Sequence, residues 1–210
     1  MTDPEVERLL ETATRIFAEL GYDATPTQLI ADAAGTSTTG LLERFGSKSQ
    51  LYREVMHRAD QAEQQAIETA MASFTHDRQG ILMLADAYLD FYVAHPLYLA
   101  LWMHRWLGDA ADVPNMEELY TQPLSAMVTD ALTGLVPDDV DAPFLVWTGV
   151  WCVYGFLSGG LVHPGTRRPQ RQNALGSADP EAVESFRAHL HTLLDRMLAP
   201  RGAPPAPPSA

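Results

Sequence analysis

Apolar residues recur along this chain at the three- and four-residue intervals that put them on one side of a helix. After Asp3-Pro4, a capping residue followed by a first-turn proline, Val6, Leu9, Leu10, Ala13, Ile16, Phe17 and Leu20 predict a first helix that Gly21 ends. Thr25-Pro26-Thr27-Gln28 has the form of a capping box, so a second helix is predicted to begin at Thr25, with Leu29, Ile30 and Ala33 as its inner stripe. Gly35 gives the backbone freedom for a turn. Ser37 then caps a third helix, Thr38 to Phe45, with Leu41 and Phe45 inside, and Ser47-Lys48-Ser49-Gln50 opens a fourth that runs to about Ser73.

The pattern continues in the second part of the chain. Asp77 to His95 reads as an amphipathic helix with Ile81, Leu84, Ala85, Tyr88, Leu89, Phe91 and Tyr92 inside, and Pro96 breaks it. Leu97 to Leu107 is aromatic-rich. Asn115-Met116-Glu117-Glu118 predicts a capped helix reaching about Leu135 with a kink at Pro123, and Asp141 or Asp138 starts an apolar helix that runs through Val162. Residues 164–178 read as a polar loop. Asp179-Pro180 opens a final helix with Val183, Phe186, Leu190, Leu193, Leu194 and Met197 on one face. The reading is therefore all-α: an N-terminal three-helix domain with a helix-turn-helix over residues 1–50, a helical domain over 51–199, and a disordered tail over 200–210.

Composition narrows the class. An apolar content of 46% in 210 residues supports a sizeable core. No signal-type apolar run follows Met1. The stretch Phe144 to Val162 is interrupted by glycine, which favours a core or interface helix over a membrane span. The single Cys152 excludes an intramolecular disulfide and fits a reducing cytoplasm. The net charge of −13 argues against non-specific polyanion binding. Residues 1–58 are acidic in their own right, with Arg8, Arg15, Arg44, Lys48, Arg53 and Arg58 outnumbered by Asp3, Glu5, Glu7, Glu11, Glu19, Asp23, Asp32, Glu43 and Glu54.

The run Phe17-Ala18-Glu19-Leu20-Gly21-Tyr22, then Ala24-Thr25, Ile30-Ala31, Ala34-Gly35 and Ser37, and finally Phe45-Gly46-Ser47-Lys48 with Leu51-Tyr52, resembles the N-terminal domain of TetR-family transcriptional regulators. The likeness covers roughly residues 8–56. It implies a homodimer that binds double-stranded operator DNA and responds to a small effector, most simply as a repressor. On the matching positions it assigns DNA contacts to Ser37, Thr38 and Thr39 at the start of the recognition helix and to Arg44 near its end. Lys48 takes the phosphate-contacting place at the start of the fourth helix, and Thr25 and Thr27 take places at the start of the supporting helix, where hydroxyls and backbone N–H groups meet a phosphate. The sequence departs from the family pattern at Thr36, Thr38, Thr39, Gly40, Leu42 and Glu43, where a lysine and a tyrosine that bind phosphate are missing. With about three phosphates neutralised per half-site, the slope of log affinity on log salt is expected near −3 per half-site.

The effector expectation rests on aromatic density. Tyr88, Tyr92, Trp102, Trp106, Tyr120, Trp147, Trp151 and Tyr154 are the candidate ligand-binding residues, and Trp102/Trp106 and Trp147/Trp151 stand at i, i+4. Such residues also make plain core; a cavity among them is what the resemblance adds. His104, Arg105, Tyr120 and Gln122 are candidate polar anchors, and a hydrophobic or aromatic molecule, neutral or cationic rather than anionic, is preferred. Gly155, Ser158, Gly159 and Gly160 form a small-residue seam that lets another helix approach. No cofactor or metal motif is present, and His189-x-His191 points two ways on a helix. The alternative is a TetR-like protein with a degenerate reading head, binding a small molecule or acting on it with His95, His104 or His163, without specific DNA binding.

Overall fold

The structure, a computed structural model, describes residues 4–160 and 179–199. The predicted disordered tail over 200–210, the polar loop and the end of the apolar helix at Val162 lie outside the described residues. Among the described residues every regular element is a helix: α1 Pro4–Leu20, α2 Thr27–Ala34, α3 Thr38–Phe45, α4 Lys48–Met71, α5 Arg78–Ala94, α6 Pro96–Trp106, α7 Gln122–Ala131, α8 Ala142–Gly159 and α9 Pro180–Leu198. A π-helical turn, Glu117–Thr121, leads into α7.

Helix α1 buries Leu9, Leu10, Ala13, Ile16 and Phe17 against α2, α4 and α6. Each of the larger side chains contributes about 1.5–3 kcal/mol by leaving water. Leu41 anchors α3, and Leu51, Tyr52, Val55 and Met56 extend the same core along α4. Because α4 runs from residue 48 to 71, it crosses the expected boundary at 50/51, and the buried cluster is continuous from Leu9 to Leu194. The helices α5, α8 and α9 pack together with α6 and α7 around the far part of α4.

Most caps follow the sequence. Ser37, Ser47, Asp77 and Asp141 each accept a backbone N–H from three residues ahead, and Asp179 accepts one from Glu181. Two do not. The Thr25 hydroxyl turns inward and donates to the Gly21 carbonyl at 2.5 Å, so the predicted capping box does not form and α2 begins at Thr27 without a side-chain cap. Asn115 adopts a left-handed backbone, φ 65°, which is incompatible with the extended conformation of a capping residue. The segment before α7 instead widens into the π turn. Pro123 has no N–H to donate, and the Gln122 N–H reaches back five residues to Glu117.

Candidate nucleic-acid interface and ligand cavity

The reading head is built from short helices whose geometry is fixed by turns. Gly35 ends α2 at φ 70°, and its N–H bonds to Asp32, closing the tight connection to α3. Ser37 Oγ accepts the Gly40 N–H at 3.0 Å. The Thr38 hydroxyl donates to Gln28 Oε1 at 2.6 Å, and the Gln28 amide donates to Asp32 at 2.6 Å, tying the two helices across their outer faces. Thr39, Leu42, Glu43 and Arg44 then form the exposed side of α3, with Leu42 36% exposed. Thr27 is half-buried at the first turn of α2.

Besides Ser37 and Thr38, three further candidate DNA contacts already have intramolecular partners. Thr25 is 1% exposed, and with its hydroxyl committed to Gly21 it offers nothing to a phosphate; that assignment is corrected. Lys48 Nζ donates to the carbonyls of Tyr22 at 2.8 Å and Thr25 at 3.0 Å and lies 4.1 Å from the Tyr22 ring centre, so it pins the α1–α2 loop rather than projecting toward DNA. Arg44 pairs with Glu5 at 2.6 Å on the surface. Ser37, Thr38 and Thr39 remain at the start of the recognition helix, with Thr39 exposed.

The loop that Lys48 holds is also gripped from the far side of α6. Asp109, in the segment after α6, accepts the backbone N–H groups of Tyr22 at 2.5 Å and Asp23 at 2.8 Å. His104 Nε2 lies 3.1 Å from the Ala18 carbonyl. Gly21 has φ 80°, and a side chain there would meet Asp109 at 3.1 Å and His104 at 3.2 Å; the position needs glycine for both reasons. Arg105 bonds Glu117 at 2.7 and 3.0 Å and donates to the Ala110 carbonyl, holding the segment that carries Asp109. His104 therefore fastens α6 to the end of α1, Arg105 braces the segment that carries Asp109, and neither lines the cavity.

That cavity lies between α4, α5, α6, α7, α8 and α9 and has about 1010 Å³ of empty volume including its open mouth. Tyr88, Tyr92, Trp102, Trp106, Tyr120, Trp147 and Tyr154 line it, seven of the eight candidates. Trp151 does not: it points out of α8, 51% exposed, beside Phe144 on the outer surface. Phe91, His95 and Tyr98 stack on one another away from the cavity, with ring centres 4.5 Å and 5.5 Å apart. Two charged lining residues were not anticipated. Asp60 and Glu63 come from α4, and Glu63 accepts the Tyr92 hydroxyl proton at 2.6 Å. Burial pushes the Glu63 carboxyl up to about 7, against the Tyr92 hydrogen bond and with the help of Asp60's charge. The signal was present: Tyr52, Met56, Ala59, Glu63 and Ile67 fall at helical spacing, so Glu63 occupies a place on the inner stripe.

The structure thus joins a helix-turn-helix to an aromatic cavity through the single helix α4. Residues 9–55 match the family described as bacterial regulatory proteins, tetR family. The HTH-type transcriptional activator FasR of Mycolicibacterium smegmatis is 33% identical over 84 residues, which is 40% of this chain and 38% of that protein. The match thus spans less than half the length of that curated relative. The ketosteroid transcriptional regulator KstR2 of Mycobacterium tuberculosis shares the fold at TM-score 0.67 and 18% identity, over 95% of this chain and 97% of that one. AibR, solved in complex with isovaleryl coenzyme A and operator DNA, superposes with TM-score 0.66 at 14% identity, over 90% of this chain and 97% of its own. The chain is thus TetR-like in its N-terminal part, where residues 9–55 match the family of bacterial regulators, and it shares the all-helical fold of these solved regulators.

Proposed function

We propose that the chain is a cytoplasmic, homodimeric transcriptional repressor that binds operator DNA through α2 and α3 and releases it when a small hydrophobic or aromatic effector fills the cavity. The observation that carries this reading is α4. Its first residue, Lys48, holds the α1–α2 loop, and Asp60, Glu63 and Ile67, beginning about 18 Å further along the same rod, stand in the cavity wall. An effector that favours one placement of α4 over another shifts operator affinity by its differential binding to the two arrangements. Support also comes from AibR, which was solved with both an acyl-coenzyme A and DNA. The outward side chains Phe144 and Trp151 on α8 suit burial against a second copy.

The test is a titration of labelled upstream DNA at two salt concentrations, with and without effector, paired with a promoter–reporter assay. Specific binding with a slope shallower than −3 per half-site, because Lys48 is held inside the protein, and reporter repression that the effector relieves, is the expected result. The name of FasR denotes an activator, and reporter output that rises with this protein would reverse the sign of the proposal. A second reading, a degenerate head without specific DNA binding, is favoured by one observation: Lys48 and Arg44 both have intramolecular partners. Absence of specific binding at low salt would select it.

A further inference from the structure

Among the described residues that line the cavity the charged ones are Asp60 and Glu63, and none is a lysine, arginine or histidine. Neither carboxylate belongs to an ion pair among the described residues. The groups facing Glu63 are Asp60 on α4, Tyr88 and Tyr92 on α5 and Tyr154 on α8, none of them positive. Beside it the aromatic rings are arranged around one space. Tyr92 meets Tyr88 and Tyr154 edge to face at 5.0 and 4.9 Å, Trp106 stacks on Tyr154 at 4.4 Å, and Trp147 lies 5.9 Å from Trp106. A carboxylate withdrawn from water is short of a counter-charge, as the upward push on its proton affinity reflects, and ring faces attract cations. An anionic head would meet two carboxylates and nothing to pair with.

We propose that the cavity takes a positively charged amphiphile, an apolar or aromatic body bearing an amine or quaternary ammonium head, with the head seated at Glu63 among Tyr88, Tyr92 and Tyr154. This rests on the reading of the cavity as an effector site and adds the charge of the effector to it. The apolar body has Leu124, Val128 and Leu145 of the same wall to lie against. One molecule then satisfies both halves of the cavity: it brings the missing positive charge and fills apolar space.

The experiment uses three probes with one tail, decyltrimethylammonium, 1-decanol and decanoate, each below its aggregation limit. Binding is read by quenching of Trp102, Trp106 and Trp147 and by calorimetry, on wild type and Glu63→Gln. The ammonium is expected to bind at least about tenfold more tightly than decanoate. In Glu63→Gln it loses about tenfold in affinity, while decanol changes by less than about twofold. Equal or tighter binding of decanoate, or an ammonium affinity indifferent to Glu63→Gln, overturns the proposal. If decanol or decanoate binds and the ammonium does not, the proposal falls and the effector reading stands; if none binds, both fall. Should Glu63→Gln fail to fold, the wild-type order of the three head groups decides alone.

Discussion

The Lys48 ammonium has two carbonyl oxygens within 3.0 Å and an aromatic face beneath it, so most of its bonding capacity is used inside the protein. Hydrogen bonds from a charged donor contribute about 1.5–3 kcal/mol each where they are sheltered, and less for a half-exposed group such as this one. Lys48→Ala is therefore expected to lower stability by about 1–2 kcal/mol in urea denaturation. A lysine that neutralises a phosphate would, when removed, also reduce the salt slope of operator binding by about 1. A lysine that only braces the head weakens binding uniformly and leaves the slope where it was, and this is the expected result. Sequence similarity points to Lys48 by position. What it could not supply is the direction of the side chain, which is set by the Tyr22 and Thr25 carbonyls presented where the α1–α2 loop turns. Thr25 has the same history: threonine before proline and two residues from a helix start reads as a cap, yet the nearby Gly21 carbonyl captures the hydroxyl first.

At the scale of the element, α4 explains both what was legible and what was not. Its start was legible because Ser47 and Gln50 stand at capping distance, and its inner face because Leu51, Tyr52, Val55, Met56, Ala59 and Ile67 keep helical spacing. Glu63 also lies on that face, but a charge on a long helix is so commonly solvated that spacing alone does not mark it as inward. The cavity that makes room for it depends on five other helices. The π turn before α7 was illegible for a related reason: Pro123 announces a break, whereas the choice between a kink and a widened turn depends on where Tyr120 and Thr121 find space in the cavity wall. The Glu63 carboxyl gives the element a pH signature. Its folded value, about 7, is above the ordinary 4.5, so between those values the folded state holds a proton that the unfolded chain has lost. Stability contributed by this group thus falls as pH rises from about 4.5 to 7 and stays lower above, by up to about 3 kcal/mol. Asp60, also raised by burial, acts in the same sense. Urea midpoints of wild type and Glu63→Gln at pH 5 and pH 8 should show a smaller fall for the variant.

The whole molecule is joined at two levels, first between the α1–α2 loop and the segment after α6 and then, in the function proposed, between its copies. Asp109 reaches from the segment after α6 to two backbone N–H groups of the α1–α2 loop, while Trp102 and Trp106 on the same helix line the cavity. Asp109→Ala is expected to leave effector binding, read by tryptophan quenching, within about twofold, and to reduce the effector's power to release DNA, because the coupling free energy passes through that grip. Equal loss of both would make Asp109 a plain stability residue.

The second junction concerns α8, which has the length and composition to cross a membrane, though only 22% of that window is buried in one chain. Its inward residues Leu145, Val153, Tyr154 and Leu157 pack on the core, and its outward ones include Phe144, 64% exposed, and Trp151. Helix α9 lies beside it, with Phe186 stacked on Phe156 at 4.1 Å, so the two helices present a joined apolar surface. A two-fold dimer across that surface would bury the aromatic pair and fix the two recognition helices about 34 Å apart, one turn of DNA. Trp151→Glu places a charge in the middle of such an interface; the Trp151 ring stands 6.0 Å from that of Trp147 but does not itself line the cavity. The expected outcome is a folded monomer by light scattering that still quenches with effector, and operator affinity reduced by at least about a hundredfold, since each half-site must then be held alone. A variant that remains dimeric with unchanged operator affinity would place the dimer interface elsewhere.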